Sequence, residues 1–177
     1  MKFFKFKILL VFVYAVFLNF DTNDKIQTPV VIEIYKLKNN KYLNNKKNSD
    51  FENHLIFGQT KSSEINLEFI SKLKKAGYKK INLENDRILE ISKFLTSKKA
   101  GVNNYQTACT KVFRDLIIFK QQNKIIKVIK ICTSCYSNEV TTNEAESELL
   151  LNFGDYDYLS DKLESSTSLS LSKNYSD

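Results

Sequence analysis

Hydrophobic and polar positions divide this chain into short periodic blocks separated by Asn- and Lys-rich stretches. The strongest block runs from Cys109 to Cys135, CTKVFRDLIIFKQQNKIIKVIKICTSC, and holds every cysteine in the protein. Two apolar, β-branched runs, Val112–Lys120 and Ile125–Cys132, flank the polar Gln121-Gln122-Asn123-Lys124. That pattern predicts an antiparallel hairpin. With Gln122-Asn123 at the turn centre, Asp115 is expected opposite Lys130, Ile117 opposite Val128 and Phe119 opposite Ile126, one ionic and two apolar cross-strand pairs. Extended outward, the register sets Cys109 opposite Tyr136, one step from Cys135, so three thiols gather at the open end. It also puts Arg114 on the sheet face of Leu116, Ile118, Ile129 and Ile131.

Ahead of the hairpin, Thr28-Pro29 opens a strand over Val30–Leu37. Val31, Tyr35 and Leu37 share one of its faces and Val30, Ile32 and Ile34 the other, the double-sided apolar pattern of an interior strand. Residues 38–53 are rich in Asn and Lys and read as a polar loop, and His54–Gly58 as a short strand. Two helical patterns follow, opening on Ile65-Asn66-Leu67-Glu68 and Ile81-Asn82-Leu83-Glu84 and closing on Lys-Lys-Ala-Gly at Gly77 and Gly101. Asn as N-cap, Glu in the first turn, Lys in the last and Gly at C′ are what helix ends select for. This grammar explains the echo better than duplication, because the two segments differ in length. Their core faces are Phe69, Ile70 and Leu73, then Ile88, Ile91, Phe94 and Leu95. After the hairpin, residues 136–147 are polar. Leu149-Leu150-Leu151 with Phe153 reads as a short strand, and Asp155–Glu164 as an acidic amphipathic helix with Tyr156, Leu159 and Leu163 inward.

The elements add up to one α+β domain over residues 21–164: a small antiparallel sheet centred on the 112–132 hairpin, covered by helices near 67–76 and 84–99 and a short C-terminal helix. Residues 165–177, SSTSLSLSKNYSD, read as a disordered tail. Residues 1–20 place Lys2, Lys5 and Lys7 ahead of an apolar run from Ile8 to Leu18, the design of a signal peptide. The bulky Val16-Phe17-Leu18-Asn19-Phe20 lacks a small-x-small cleavage site, so an uncleaved N-terminal membrane anchor is the alternative to a periplasmic or secreted protein.

Net charge changes the picture only when it is divided. The total is +7, but residues 21–131 hold 22 basic and 11 acidic residues, whereas residues 132–177 hold two Lys and nine acids. The simplest account lays the acidic C-terminal part back over the basic part. Arg87 and Arg114 are the only arginines, too few for a usual nucleic-acid surface, and export removes that partner. No nucleic acid is expected. The membrane enters through an uncleaved N-terminal segment, with a lipid-surface role for the basic 36–47 and 72–80 stretches a distant alternative.

The cysteines admit three chemistries. In an exported protein Cys109 is expected to bond Cys135 or Cys132, since the hairpin register gives Cα separations of about 5–6 Å. Closing a loop of about 25 residues contributes on the order of 3 kcal/mol and leaves one thiol over. Alternatively Cys132-x-x-Cys135 is a redox pair, with the disulfide migrating among three sulfurs. Neither a helix N-terminus after Cys132 nor a cis-Pro supports that option. Third, Cys109, Cys132 and Cys135 could hold a structural metal with the chain's single histidine, His54, as fourth ligand. Arg114 is a candidate anion or partner contact, through bidentate hydrogen bonding of its guanidinium, and otherwise caps the hairpin end or pairs with an acid. With one His, no Gly-x-Ser-x-Gly, no HExxH and no phosphate loop, the usual hydrolase constellations are missing, and no cofactor is expected.

From the second helix onward, Ile88–Leu95, Cys109, Arg114, Leu116–Phe119 and Ile131-Cys132-Thr133-Ser134-Cys135 follow one another in an order that resembles a family of small, uncharacterised, exported bacterial proteins. In that family a helix precedes a Cys, an Arg, an apolar hairpin and a closing Ile-Cys-x-x-Cys. Its Cys and Arg are separated by three residues, commonly with a Pro; here Thr110–Phe113 makes four, without Pro. The resemblance implies an export context and a cysteine pattern, and no reaction. The expectation is an exported, non-enzymatic structural or interaction protein with an unidentified protein or envelope partner.

Overall fold

The structure, a computed structural model, describes residues 29–38, 48–101 and 108–164. The export segment, the greater part of the Asn/Lys-rich loop and the expected tail lie outside the described residues. The α+β class holds. Strands β1 (Val30–Leu37), β2 (Tyr78–Ile81), β3 (Ala100–Gly101), β4 (Asp115–Gln121), β5 (Lys124–Cys132), β6 (Ser137–Thr142) and β7 (Glu146–Leu149) form one antiparallel sheet in the order β2-β1-β4-β5-β6-β7-β3. Among the described residues four helices accompany it: α1 (Asp50–Ile56), α2 (Phe69–Lys75), α3 (Asn85–Ser97) and α4 (Phe153–Leu163).

Helices cover both faces of the sheet, which is why its central strands are apolar almost throughout rather than alternating. On one face Ile34, Ile117, Phe119, Ile129 and Ile131 pack with Ile91 and Leu95 of α3 and Tyr156, Leu159 and Leu163 of α4. On the other, Tyr35, Leu37, Leu116, Ile118 and Val128 pack with Leu55 and Ile56 of α1 and Phe69 and Leu73 of α2. The predicted helix faces are therefore in the core, with Ile70, Ile88 and Phe94 partly buried at its margins.

The hairpin turn falls where the sequence puts it. Gln122 and Asn123 both have positive φ, 49° and 62°, as a two-residue turn matched to strand twist requires. Beside the turn the expected register holds, with Gln121 opposite Lys124 and Lys120 opposite Ile125. Then it slips. Phe119 pairs with Lys127, which leaves Ile126 as an extra residue in β5, and every outer pair moves by one. Asp115 faces Ile131, not Lys130; Ile117 faces Ile129, not Val128. A β-bulge has this effect because side-chain direction alternates with period two. Beyond the bulge Leu116 and Ile118 share their face with Val128, while Ile129 and Ile131 point to the other, so the four do not form the single face expected around Arg114.

Other differences have local causes. His54–Gly58 is not a strand: Ser49 and Glu52 form a reciprocal capping box, Ser49 N to Glu52 Oε2 at 2.7 Å and Glu52 N to Ser49 Oγ at 3.3 Å, which starts α1 inside the expected loop. The N-caps of α2 and α3 are Glu68 and Glu84 rather than the asparagines. Gly77 takes φ 90° after α2 and turns the chain into β2, whereas Gly101 lies in β3. Phe153 opens α4 rather than ending a strand, and the polar 136–147 stretch contains β6 and the first half of β7.

Candidate functional site

The sulfurs meet where the chain enters β4 and where it turns from β5 into β6. After Cys132 ends β5, a single 3-10 turn, Thr133–Cys135, and a left-handed Tyr136 (φ 47°) reverse the chain. Cys109, on the segment before β4, is bonded to Cys135 with the Cα atoms 5.7 Å apart. Of the two pairings expected for Cys109, this is the one formed. Cys132 is a free, buried thiol that packs with Cys135 and Phe113, and its Sγ lies 3.5 Å from the Ser134 hydroxyl. The 109–114 segment is fastened independently of the bridge: Phe113 N donates to Ile56 O at 2.8 Å, and the Tyr78 hydroxyl donates to Phe113 O.

Phe113 also links the sulfurs to a buried ion pair. Lys130 is 0% exposed, its Nζ 4.5 Å from the Phe113 ring centroid. The Nζ donates to His54 O at 2.7 Å and Gly58 O at 2.6 Å and lies 3.1 Å from Glu139 Oε2. It thus neutralises the C-terminal end of α1 while pairing with the residue opposite it on β6. Glu139 is satisfied in turn by Thr60 N at 2.7 Å and Thr141 Oγ1 at 3.2 Å. Burial pulls Lys130 down to about 8, against the opposing influence of Glu139, and burial pushes Glu139 up, against the opposing influence of Lys130. All three ammonium protons have acceptors, so Lys130 is a structural tie and not a nucleophile.

Glu139 also lines a cavity of about 620 Å³, with Phe57, Lys111, Phe113, Glu146 and Glu148 among its walls. Glu146 Oε1 accepts from Ser62 N at 3.0 Å. The cavity is acidic because the C-terminal strands supply its carboxylates. Elsewhere the C-terminal acids meet basic partners, as Asp155 does Lys98 at 2.7 Å, in keeping with the charge division along the chain.

The remaining sequence candidates lie apart. Arg114 is exposed. It contributes its carbonyl to Leu37 N at 2.7 Å and its charge to the surroundings of Asp115. Asp115 is 5% exposed and is pushed up by burial, with Lys36, 3.6 Å away and directly across the β1–β4 register, working the other way. The ionic pair expected between Asp115 and Lys130 is therefore two separate cross-strand pairs, Lys36–Asp115 and Lys130–Glu139. His54 Nδ1 lies 2.8 Å from Glu64 Oε1. Among the described residues no group of three or more His, Cys, Asp and Glu is placed to hold a metal, and two of the three candidate sulfurs are bonded to each other. Cys132 precedes a three-residue turn and no α-helix, so it lacks the helix dipole that activates a Cys-x-x-Cys thiol.

The buried Lys130, Asn138, Glu139 and Thr141 were not anticipated as a group. A Lys flanked by apolar neighbours in a central strand, followed within a short reach by a Glu, was the available signal. No family model matches the chain, and no curated protein or solved structure matches it. Among the described residues, no helix is long and apolar enough to cross a membrane, and a disulfide is typical of exported proteins.

Proposed function

We propose that this chain is an exported, non-enzymatic structural or interaction module of the cell envelope or extracellular space, stabilised by its cysteine cluster. One observation carries the reading: the Cys109–Cys135 bridge closes a separation of 26 residues and encloses the whole central hairpin. In an oxidising compartment such a link removes unfolded-state freedom worth about 3 kcal/mol. The basic, apolar N-terminal segment supports the same compartment, and the family resemblance agrees with it. Unspent catalytic groups are scarce near the bridge, since Lys130 and Glu139 satisfy one another and the single His pairs with Glu64. An interaction role is then read through exposed surface, with the acidic cavity rim and Arg114 as contacts for an envelope or protein partner.

Intact mass of the exported protein, alkylated with and without reductant, tests this directly. One alkylated thiol without reductant and three after reduction, on a chain recovered outside the cytoplasm, is the expected pattern. Three alkylated thiols without reductant would remove the bridge, and recovery in the cytoplasm would remove the export reading.

A further inference from the structure

We propose that the three sulfurs form a disulfide-exchange unit that converts Cys109 into an exposed thiol able to bond a partner covalently. This rests on the bridged reading. Three features carry it: Cys132 and Cys135 belong, with Phe113, to one buried cluster inside the fold, Cys109 at the other end of the bond is exposed, and the Ser134 hydroxyl lies 3.5 Å from the Cys132 sulfur, where it can donate to a thiolate.

The step balances without an added oxidant. The Cys132 thiolate attacks the Sγ of Cys135; the Cys132–Cys135 S–S bond forms as the Cys109–Cys135 bond breaks, and the electron pair leaves on Cys109. One disulfide and one thiol exist before and after. The direction follows from access and solvation. Cys135 is the bridge sulfur that shares the buried cluster of Cys132, and the leaving Cys109 thiolate emerges in water, which favours departure. The released thiolate then attacks a disulfide of a partner, forming a mixed disulfide at Cys109 and releasing the partner's other sulfur as a thiolate. Burial of Cys132 keeps the exchange slow, because its sulfur must shift within the packed interior to align with the Cys109–Cys135 bond. Opening of the three-residue Thr133–Cys135 turn sets its rate.

Oxidised glutathione serves as the probe, since it contains no thiol to open the bridge by itself. The full chain, purified without reductant, is held with it at about pH 8 to populate thiolate, quenched in acid, unfolded, alkylated and mapped without reduction. The expected product carries glutathione on Cys109 with Cys132 and Cys135 cross-linked. Its yield should fall at least about tenfold in both Cys132→Ala and Cys132→Ser, the second variant guarding against misfolding of the first. Glutathione or alkyl label on Cys132 alone, with Cys109–Cys135 intact, overturns the exchange and leaves the bridge standing. A Cys109–Cys132 cross-link with modified Cys135 overturns the assigned direction. Undiminished Cys109 adduct in the Cys132 variants shows that the bridge was incomplete at the outset and overturns both readings together.

Discussion

Replacing Lys130 by Met keeps all but the last atom of the unbranched side chain and removes its charge, which isolates the worth of the buried ion pair. The ammonium holds Gly58 O at 2.6 Å, His54 O at 2.7 Å and Glu139 Oε2 at 3.1 Å. Deleting it strands a buried carboxylate and two carbonyls at the end of α1. Breaking one side of such a pair costs about 3–5 kcal/mol, a large part of the roughly 5–15 kcal/mol of a typical domain. Glu139→Gln keeps the shape but leaves the buried Lys130 ammonium without its counter-charge, at about 3 kcal/mol. In the double variant no buried charge remains unpaired, so its cost should fall below the sum of the singles by about 2 kcal/mol. Urea unfolding followed by circular dichroism measures all three. The pH dependence adds an independent check. Without Lys130, burial still raises Glu139 and only the hydrogen bonds from Thr60 N and Thr141 Oγ1 work against it, so its carboxyl stays above the ordinary 4.5. Such a group contributes stability fully present below 4.5, lost as pH rises through the folded value. The Lys130→Met deficit should therefore be larger at neutral pH than in mild acid. A single-variant cost under about 1 kcal/mol, or strict additivity in the double variant, would refute the pairing argument.

The other predictions concern separate parts of the fold. Reduction, or Cys109→Ala, should lower stability by about 3 kcal/mol through loss of the long loop closure and shift the thermal midpoint by roughly 10 °C in calorimetry; an unchanged midpoint would deny the bridge a stabilising role. Burial works upward on Glu33, but hydrogen bonds from Lys120 and Lys80 outweigh it and hold the carboxyl at about 2. Its contribution is then present above 4.5 and lost as pH falls toward 2, and Glu33→Gln should flatten that part of an acid titration. Changing Gln122-Asn123 to Asn-Gly, the preferred pair for two positive φ values, should add about 0.5–1 kcal/mol. Destabilisation on denaturant titration would show that the turn has another geometry.

Much of the fold was legible because its signals are local. Val30–Leu37 has the predicted boundaries, the hairpin turn sits at its predicted residues, and the apolar faces of α2, α3 and α4 follow from periodicity. Strand β6 was hidden for a physical reason. SNEVTT has no apolar alternation, and Asn138, Glu139 and Thr141 enter the interior because they find partners elsewhere in the chain. Asn138 exchanges hydrogen bonds with the Leu149 backbone and donates to the Tyr156 hydroxyl; Thr141 Oγ1 donates to Thr60 O at 3.1 Å. Satisfied burial of that kind depends on contacts distant in sequence. Helix α1 was hidden differently: its Ser49-x-x-Glu52 signature was present but stood next to an Asn/Lys-rich run. At the site, the gathering of three thiols was readable from cysteine spacing, and the buried Lys130–Glu139 pair was not, because the bulge decides which way Lys130 points.

That bulge gives the sheet a reading frame. Ile126 is the one residue that separates the phase of the turn from the phase of the arms, and the two arms carry opposite cargo on alternate positions. Deleting it would send Ile129 and Ile131 toward α1 and α2 and turn Lys130 toward the apolar layer of α3 and α4, with Glu139 left behind. A single inserted residue elsewhere in β5 would do the same from the other direction. Point substitutions along this hairpin act at one position each, whereas a one-residue change in length inverts the assignment of every side chain beyond it. The lineage of this chain is therefore expected to tolerate varied residues here far more readily than varied spacing.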